Sequence, residues 1–224
     1  MNERIRRFGV ADPDRYWRER QARGAVGQRR LHRFLAGRID ALCPAGGKVL
    51  DCGVGSGHVF RLCRGRHEMY GVETSAHAIA GYDFPTDNIR QADLNAALPD
   101  FGVRFDVILL SMLLHWLDDP ARLLVEARDR LEPGGRVIAV IPNIAYYRHR
   151  LAYLFGKFPP ISLSHRNFQT AAEFEEMARR CGLQIEKRTS PKRKLRARLW
   201  PTVFSQDLVY ILTPARTDAT AANR

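Results

Sequence analysis

The chain has 224 residues, 45% hydrophobic and 27% charged, with 36 Lys and Arg against 24 Asp and Glu, a net charge of +12 and a pI near 10.1. This length and apolar content fit one α/β domain with decorations and exclude a disordered or fibrous chain. No apolar run approaches the ~20 residues of a membrane-spanning helix. Met1 to Arg7 is charged with no apolar segment behind it, so no secretory leader is expected and the cytoplasm is the expected location. The positive charge suits a polyanionic partner: nucleic acid, an acidic membrane face or a phosphorylated acceptor. A coding bias toward arginine explains it equally well, because lysine occurs only at positions 48, 157, 187, 192 and 194.

Residues 1–43 read as an N-terminal helical segment, with Leu31, Phe34, Leu35, Ile39 and Leu42 at helical spacing. Pro44 to Gly47 breaks the chain, and the main domain is expected over 44–214. Lys48–Cys52 reads as a strand ending in an acid, followed by a helix over Ser56–Cys63. Met69–Glu73 is a second strand and Ile89–Ala92 a weak third one. Phe105–Ser111 is a nearly all-apolar fourth strand of the kind covered on both faces of a parallel sheet. A helix over Pro120–Leu131 leads to a strand over Arg136–Ile141. Residues 143–170 form an insert. Ala171–Cys181 reads as a helix, Leu183–Arg188 and Asp207–Leu212 as final strands, and 215–224 as a disordered tail. Strands alternating with helices imply a Rossmann-like, mostly parallel sheet with helices on both faces. The four cysteines form no Cys-x-x-Cys pair, so they read as small buried hydrophobes and no metal site is expected.

Val49-Leu-Asp-Cys-Gly-Val-Gly-Ser-Gly57 carries the strongest signal. Its glycines allow a tight turn and a close ligand approach. A dinucleotide fingerprint would need its third glycine at position 58, which is His58. Asp51 before the loop would repel a pyrophosphate but can meet a cation. The pattern therefore favours S-adenosylmethionine, which carries a sulfonium and an ammonium and no phosphate. Glu73 at the next strand end can accept from both ribose hydroxyls. Asp93 can accept from the adenine amino group, with Leu94 packing on the ring, or can be a turn residue.

Val49–Gly57, Gly71–Glu73, Ala92–Leu94, Phe105–Pro120 and Leu131–Gly135 together resemble the successive motifs of the class I S-adenosylmethionine-dependent methyltransferases. The resemblance implies a seven-stranded sheet whose last strand is antiparallel. It places Asp51, Gly53, Val54, Gly55, Gly57, Glu73, Thr74, Asp93, Leu94 and Ser111 at the cofactor. Tyr16 and Trp17 would fold over the cofactor from the N-terminal segment, or pack that segment on the sheet. Ile141-Pro-Asn143, Tyr147–Leu151, Leu154–Phe158 and His165–Phe168 resemble the MetW-like branch, named for a methionine-biosynthesis protein.

On the acceptor side stand Met112, Tyr146, Tyr147 and His165. His115 reads either as a general base or as a histidine packed beside Trp116. The insert, aromatic and basic over Ala145–Phe155, reads as a wall over the acceptor, an interfacial helix touching lipid, or a surface helix. Arg188–Arg198 reads as a solvated basic loop. The expected activity is methylation of a small-molecule hydroxyl or carboxyl. The alternatives are RNA methylation, favoured by the charge, and a non-catalytic partner protein of MetW type. No oligomeric state is implied.

Overall fold

The computed structural model describes residues 12–25, 27, 30–157, 166–192 and 195–215. In chain order the elements are α1 (Pro13–Ala22), α2 (Arg30–Leu42), β1 (Lys48–Cys52), α3 (His58–Cys63), β2 (Glu68–Glu73), α4 (Ala76–Ala80), β3 (Ile89–Gln91) and β4 (Phe105–Ser111). There follow a 3₁₀ turn (Leu114–Trp116), α5 (Pro120–Asp129), β5 (Leu131–Pro142), α6 (Tyr147–Leu154), α7 (Ala171–Arg180), β6 (Leu183–Thr189), α8 (Leu195–Leu199), α9 (Pro201–Phe204) and β7 (Asp207–Pro214).

The strands form one seven-stranded sheet in the order β3-β2-β1-β4-β5-β7-β6. The first five run parallel, and β7 runs antiparallel to both β5 and β6. Val107 and Leu109 of β4 pack toward α2 and α3, with Leu35, Ile39 and Phe60. Ile108 and Leu110 pack toward α5 and α7, with Leu123 and Phe174. Two apolar faces on one strand explain its unbroken apolar run.

Helix starts follow local chemistry. Asp12 and Asp119 accept from the amides of Arg15 and Arg122, and each precedes a proline at the first helical position. Thr170 and Glu173 close a capping box at α7.

Three expectations change. The N-terminal helix is two helices, because Gly24 takes φ +62 after α1. β5 starts at Leu131 rather than Arg136, since Phe105 pairs with Leu131 before a register shift and the Pro-Gly-Gly stretch lies within the strand. The basic run after β6 is not a plain loop: Leu195–Leu199 is helical. The tail from residue 216 onward lies outside the described residues.

The order of strands reverses between β1 and β4. Ligands of such sheets bind beyond the carboxyl ends at that point. Cys52 lies beside Leu110 there, so the loop at Gly53 and the Ser111 terminus are neighbours.

Candidate active site

The glycine loop leaves β1 at that reversal. Gly53, Gly55 and Gly57 all have φ between +60 and +76, the left-handed region. The amides of Gly53 and Val54 donate to the Val72 carbonyl at 2.8 and 3.1 Å, which ties the loop to β2. Gly57 caps α3, and a Cβ there would stand 2.9 Å from the Phe84 ring. No other residue fits that position without moving the ring. Val54 is buried in the core below.

Two carboxylates line the loop. Asp51 is 2% exposed. Burial, and then the neighbouring Glu73 charge, push its pKa up to about 8. Glu73 is 4% exposed and is also raised by burial, but it is well supplied with donors. The Gly55 amide donates to it at 2.8 Å and the Thr74 and Ser75 amides at 3.0 Å. The Trp17 indole lies close enough to hold the Glu73 carboxyl down slightly against the effect of burial.

Helix α1 lies across this site although none of its residues is buried. Asp14 accepts from the Ser75 hydroxyl at 2.6 Å and the His77 amide at 3.1 Å. His77 and Gln21 are 3.0 Å apart at their polar atoms. Tyr16 meets Trp17 edge-on at 5.4 Å and Trp116 at 6.0 Å. Arg20 donates to the Tyr16 hydroxyl and lies over the Tyr16 ring.

Asp93 and Leu94 follow β3, where the Ala92 amide donates to the Glu73 carbonyl at 3.1 Å. Asp93 is exposed and accepts from the Asn95 amide at 2.8 Å, the geometry of an Asx turn. Leu94 is 5% exposed, in the core under β4 and α5. Ser111 is half-buried. Met112 follows it with φ +54, a strained conformation for a residue with a side chain, and its amide donates to the Val140 carbonyl at 3.0 Å.

After β4, His115 is 5% exposed and 5.3 Å from the Trp116 ring. Its carbonyl accepts from the Arg166 and Asn167 amides. The ring lines a cavity of about 10 Å³ with Ile141, Pro142, Ile144, Asn167 and Gln169. Such a space holds one water at most. Tyr146 is 8% exposed, its hydroxyl 3.3 Å from Lys192 Nζ, whereas Tyr147 is 39% exposed against Phe204. Burial holds the His149 pKa down, and its ring meets the Asn143 carbonyl at 3.2 Å. His165 lies outside the described residues.

The sequence reading missed Asp14, Ser75 and Tyr82. Tyr82 donates to the Gly55 carbonyl at 2.9 Å and braces the loop. Ser75 is the N-cap of α4, so a serine ahead of an alanine-rich turn was the available signal.

The donor set fits S-adenosylmethionine. Two buried carboxylates beside a loop of close-approach glycines suit a cationic, hydroxyl-bearing ligand and oppose a phosphate. Comparison with known proteins agrees. A family model described as a methyltransferase domain matches residues 16–188. A bifunctional methionine biosynthesis protein MetXA/MetW of Rhodopirellula baltica is 28% identical over 166 residues, 65% of this chain, and the chain spans about a quarter (26%) of that protein. A ubiquinone biosynthesis O-methyltransferase of Thiobacillus denitrificans is 25% identical over 80% of this chain and 82% of its own. The structure of the CcbJ methyltransferase of Streptomyces caelestis superposes with a TM-score of 0.64 at 22% identity, covering 84% of this chain and 97% of that one.

The chain therefore belongs to the methyltransferase-domain family, as a class I enzyme dependent on S-adenosylmethionine. Within that family the relative from Rhodopirellula baltica fits the MetW-like branch. Among the described residues no helix is long and apolar enough to cross a membrane.

Proposed function

We propose that the protein methylates an oxygen, hydroxyl or carboxyl, of a small-molecule acceptor. The observation that carries the site assignment is the pair of buried carboxylates, Asp51 and Glu73, on the glycine loop at the strand-order reversal. Asp51 is the group for the cationic methionine end. Glu73 is the group for the ribose hydroxyls, with Gly53, Gly55 and Gly57 giving the loop its close approach. Bound S-adenosylmethionine supplies a methyl group on a sulfonium, open to in-line attack by a nucleophile.

Around that point the chain's own residues exclude water and orient the partners. Tyr16, Trp17 and Trp116 make an aromatic wall on the loop side. Met112, Tyr146 and Tyr147 stand on the acceptor side. His115 borders the small cavity beyond β5 and is the residue there able to take a proton near neutrality. The O-methyltransferase relative supports oxygen as the acceptor atom.

The test is incubation of the protein with methyl-labelled S-adenosylmethionine and cell extract, followed by mass spectrometry. A labelled small molecule made by the protein and lost in Asp51→Asn is the expected result. The relative that joins MetXA and MetW in one bifunctional chain favours a second reading, a protein that acts as partner to another enzyme. Tight cofactor binding with no labelled product in any fraction would favour that reading. Label appearing in RNA would move the acceptor to nucleic acid.

A further inference from the structure

The positive charge of this chain is not spread over it. Between Asn143 and Thr170 there are four lysines and arginines and no acid. Between Lys187 and Gln206 there are seven and no acid. Together the two segments carry +11 without one acid, whereas residues 1–43 carry +6 with five acids among their eleven arginines and the rest of the chain is net negative. A coding bias alone does not clear acids from two segments.

The same two segments hold every exposed large apolar side chain among the described residues. Leu154 is 79% and Phe155 77% exposed at the end of α6. Leu195, Leu199 and Trp200 are 66%, 58% and 58% exposed on and after α8. Helix α6 buries no residue at all. An exposed apolar set of this kind on a water-facing surface signals a partner.

The two segments touch. Lys192 Nζ reaches the Tyr146 hydroxyl at 3.3 Å and lies 4.5 Å from its ring centre. The Tyr147 ring meets Phe204 at 5.6 Å. The Asn143 side-chain amide donates to the carbonyls of Thr202 and Ser205 at 2.8 and 2.7 Å. Both segments are rooted where β5 ends and β7 begins, with Pro142 opposite Asp207.

We infer that α6 and the α8–Trp200 segment form one docking face for the surface of an anionic membrane. Leu154, Phe155, Leu199 and Trp200 enter the boundary between headgroups and acyl chains. Arg148, Lys157, Lys192 and Arg196 meet the lipid phosphates. Apolar side chains interleaved with cations and free of carboxylates are the composition of interfacial segments. RNA matches the cations but offers nothing to exposed leucines. A second copy meets the apolar groups but sets a strongly positive face against its equal, which repels.

The test uses the full chain and sedimentation with vesicles of phosphatidylcholine, with or without phosphatidylglycerol. Binding to the phosphatidylglycerol vesicles, weakened by salt and absent from phosphatidylcholine alone, is expected. Leu154→Ser with Phe155→Ser should weaken partitioning roughly tenfold or more. Arg148→Glu with Arg196→Glu should weaken it similarly. All four side chains are exposed, so circular dichroism and thermal melting should stay at the parent values. Trp200 emission should shift to the blue on vesicles. No binding to anionic vesicles overturns the inference. So does binding that the serine variant leaves unchanged, which would make the contact electrostatic alone. So does a dimer in sedimentation equilibrium that the serine variant dissolves.

Discussion

The Trp17 ring lies directly on Gly55: a Cβ at that glycine would stand 3.2 and 3.3 Å from two carbons of the indole. Nothing fits between the ring and the loop. The same indole lies beside Glu73, whose carboxylate already receives three amides. Two oxygens carry about four acceptor positions, so ribose hydroxyls need the space at Glu73 that the Trp17 ring borders. Cofactor binding is therefore expected to move Trp17. Trp17→Phe keeps a smaller ring and frees space at the loop, and should tighten S-adenosylmethionine by up to about 1 kcal/mol. Titration calorimetry reads this directly; weaker binding in the variant would make the indole part of the bound site.

Asp51 should make that binding depend on pH. Its folded pKa is raised to about 8, so the folded chain without ligand holds a proton that the unfolded chain gives up near 4. The contribution of this group to stability is therefore fullest below about pH 4 and is lost progressively as pH rises toward 8. A cationic ligand favours the ionised form, so affinity should rise from pH 6 to about 8 with release of a proton. Calorimetry in buffers of different ionisation enthalpy measures the release. Asp51→Asn should abolish it and flatten the stability profile.

Gly55→Ala places a side chain where φ is +60 and where the indole rests. The backbone strain costs about 1–2 kcal/mol. Thermal melting should show that loss with the fold intact, and cofactor affinity should fall more steeply than stability. A variant that binds normally would put the ligand away from the loop.

The two tyrosines of the insert should part company. Tyr146 is buried against Lys192 and His149, so Tyr146→Ala should cost roughly 2–4 kcal/mol of stability. Tyr147 is partly exposed, and Tyr147→Ala should stay within about 1 kcal/mol of the parent while lowering methyl transfer. Denaturant titration and a turnover assay on each single variant separate the two effects. Equal destabilisation would return both to the core.

Much of the sheet could be read from sequence because each strand carries its own signal. β4 is apolar on two faces, and Asp51 and Glu73 mark the ends of β1 and β2. The helix starts at Pro13, Pro120 and Ala171 were written in their caps. What escaped was long-range. Nothing near Ser75 in sequence says that Asp14 will reach it from 61 residues away. Nothing near Leu94 in sequence says that its side chain joins the core with Leu123 and Leu124. The basic run after β6 was readable as charge, and its helical turn at Leu195 was not. Its leucines lie exposed, so no buried face marks the period.

Helix α1 also separates local from global stability. It contributes no buried residue to either apolar cluster and is held by a few side-chain contacts from Asp14, Gln21, Tyr16 and Trp17. Its opening should need only a fraction of the free energy that unfolds the sheet. Amides of Asp14–Ala22 would then exchange with deuterium long before those of β4, and a protease would clip α1 before β4, leaving the sheet folded. The mouth of the glycine loop would be uncovered by a weakly protected helix, with a lifetime set apart from that of the native state.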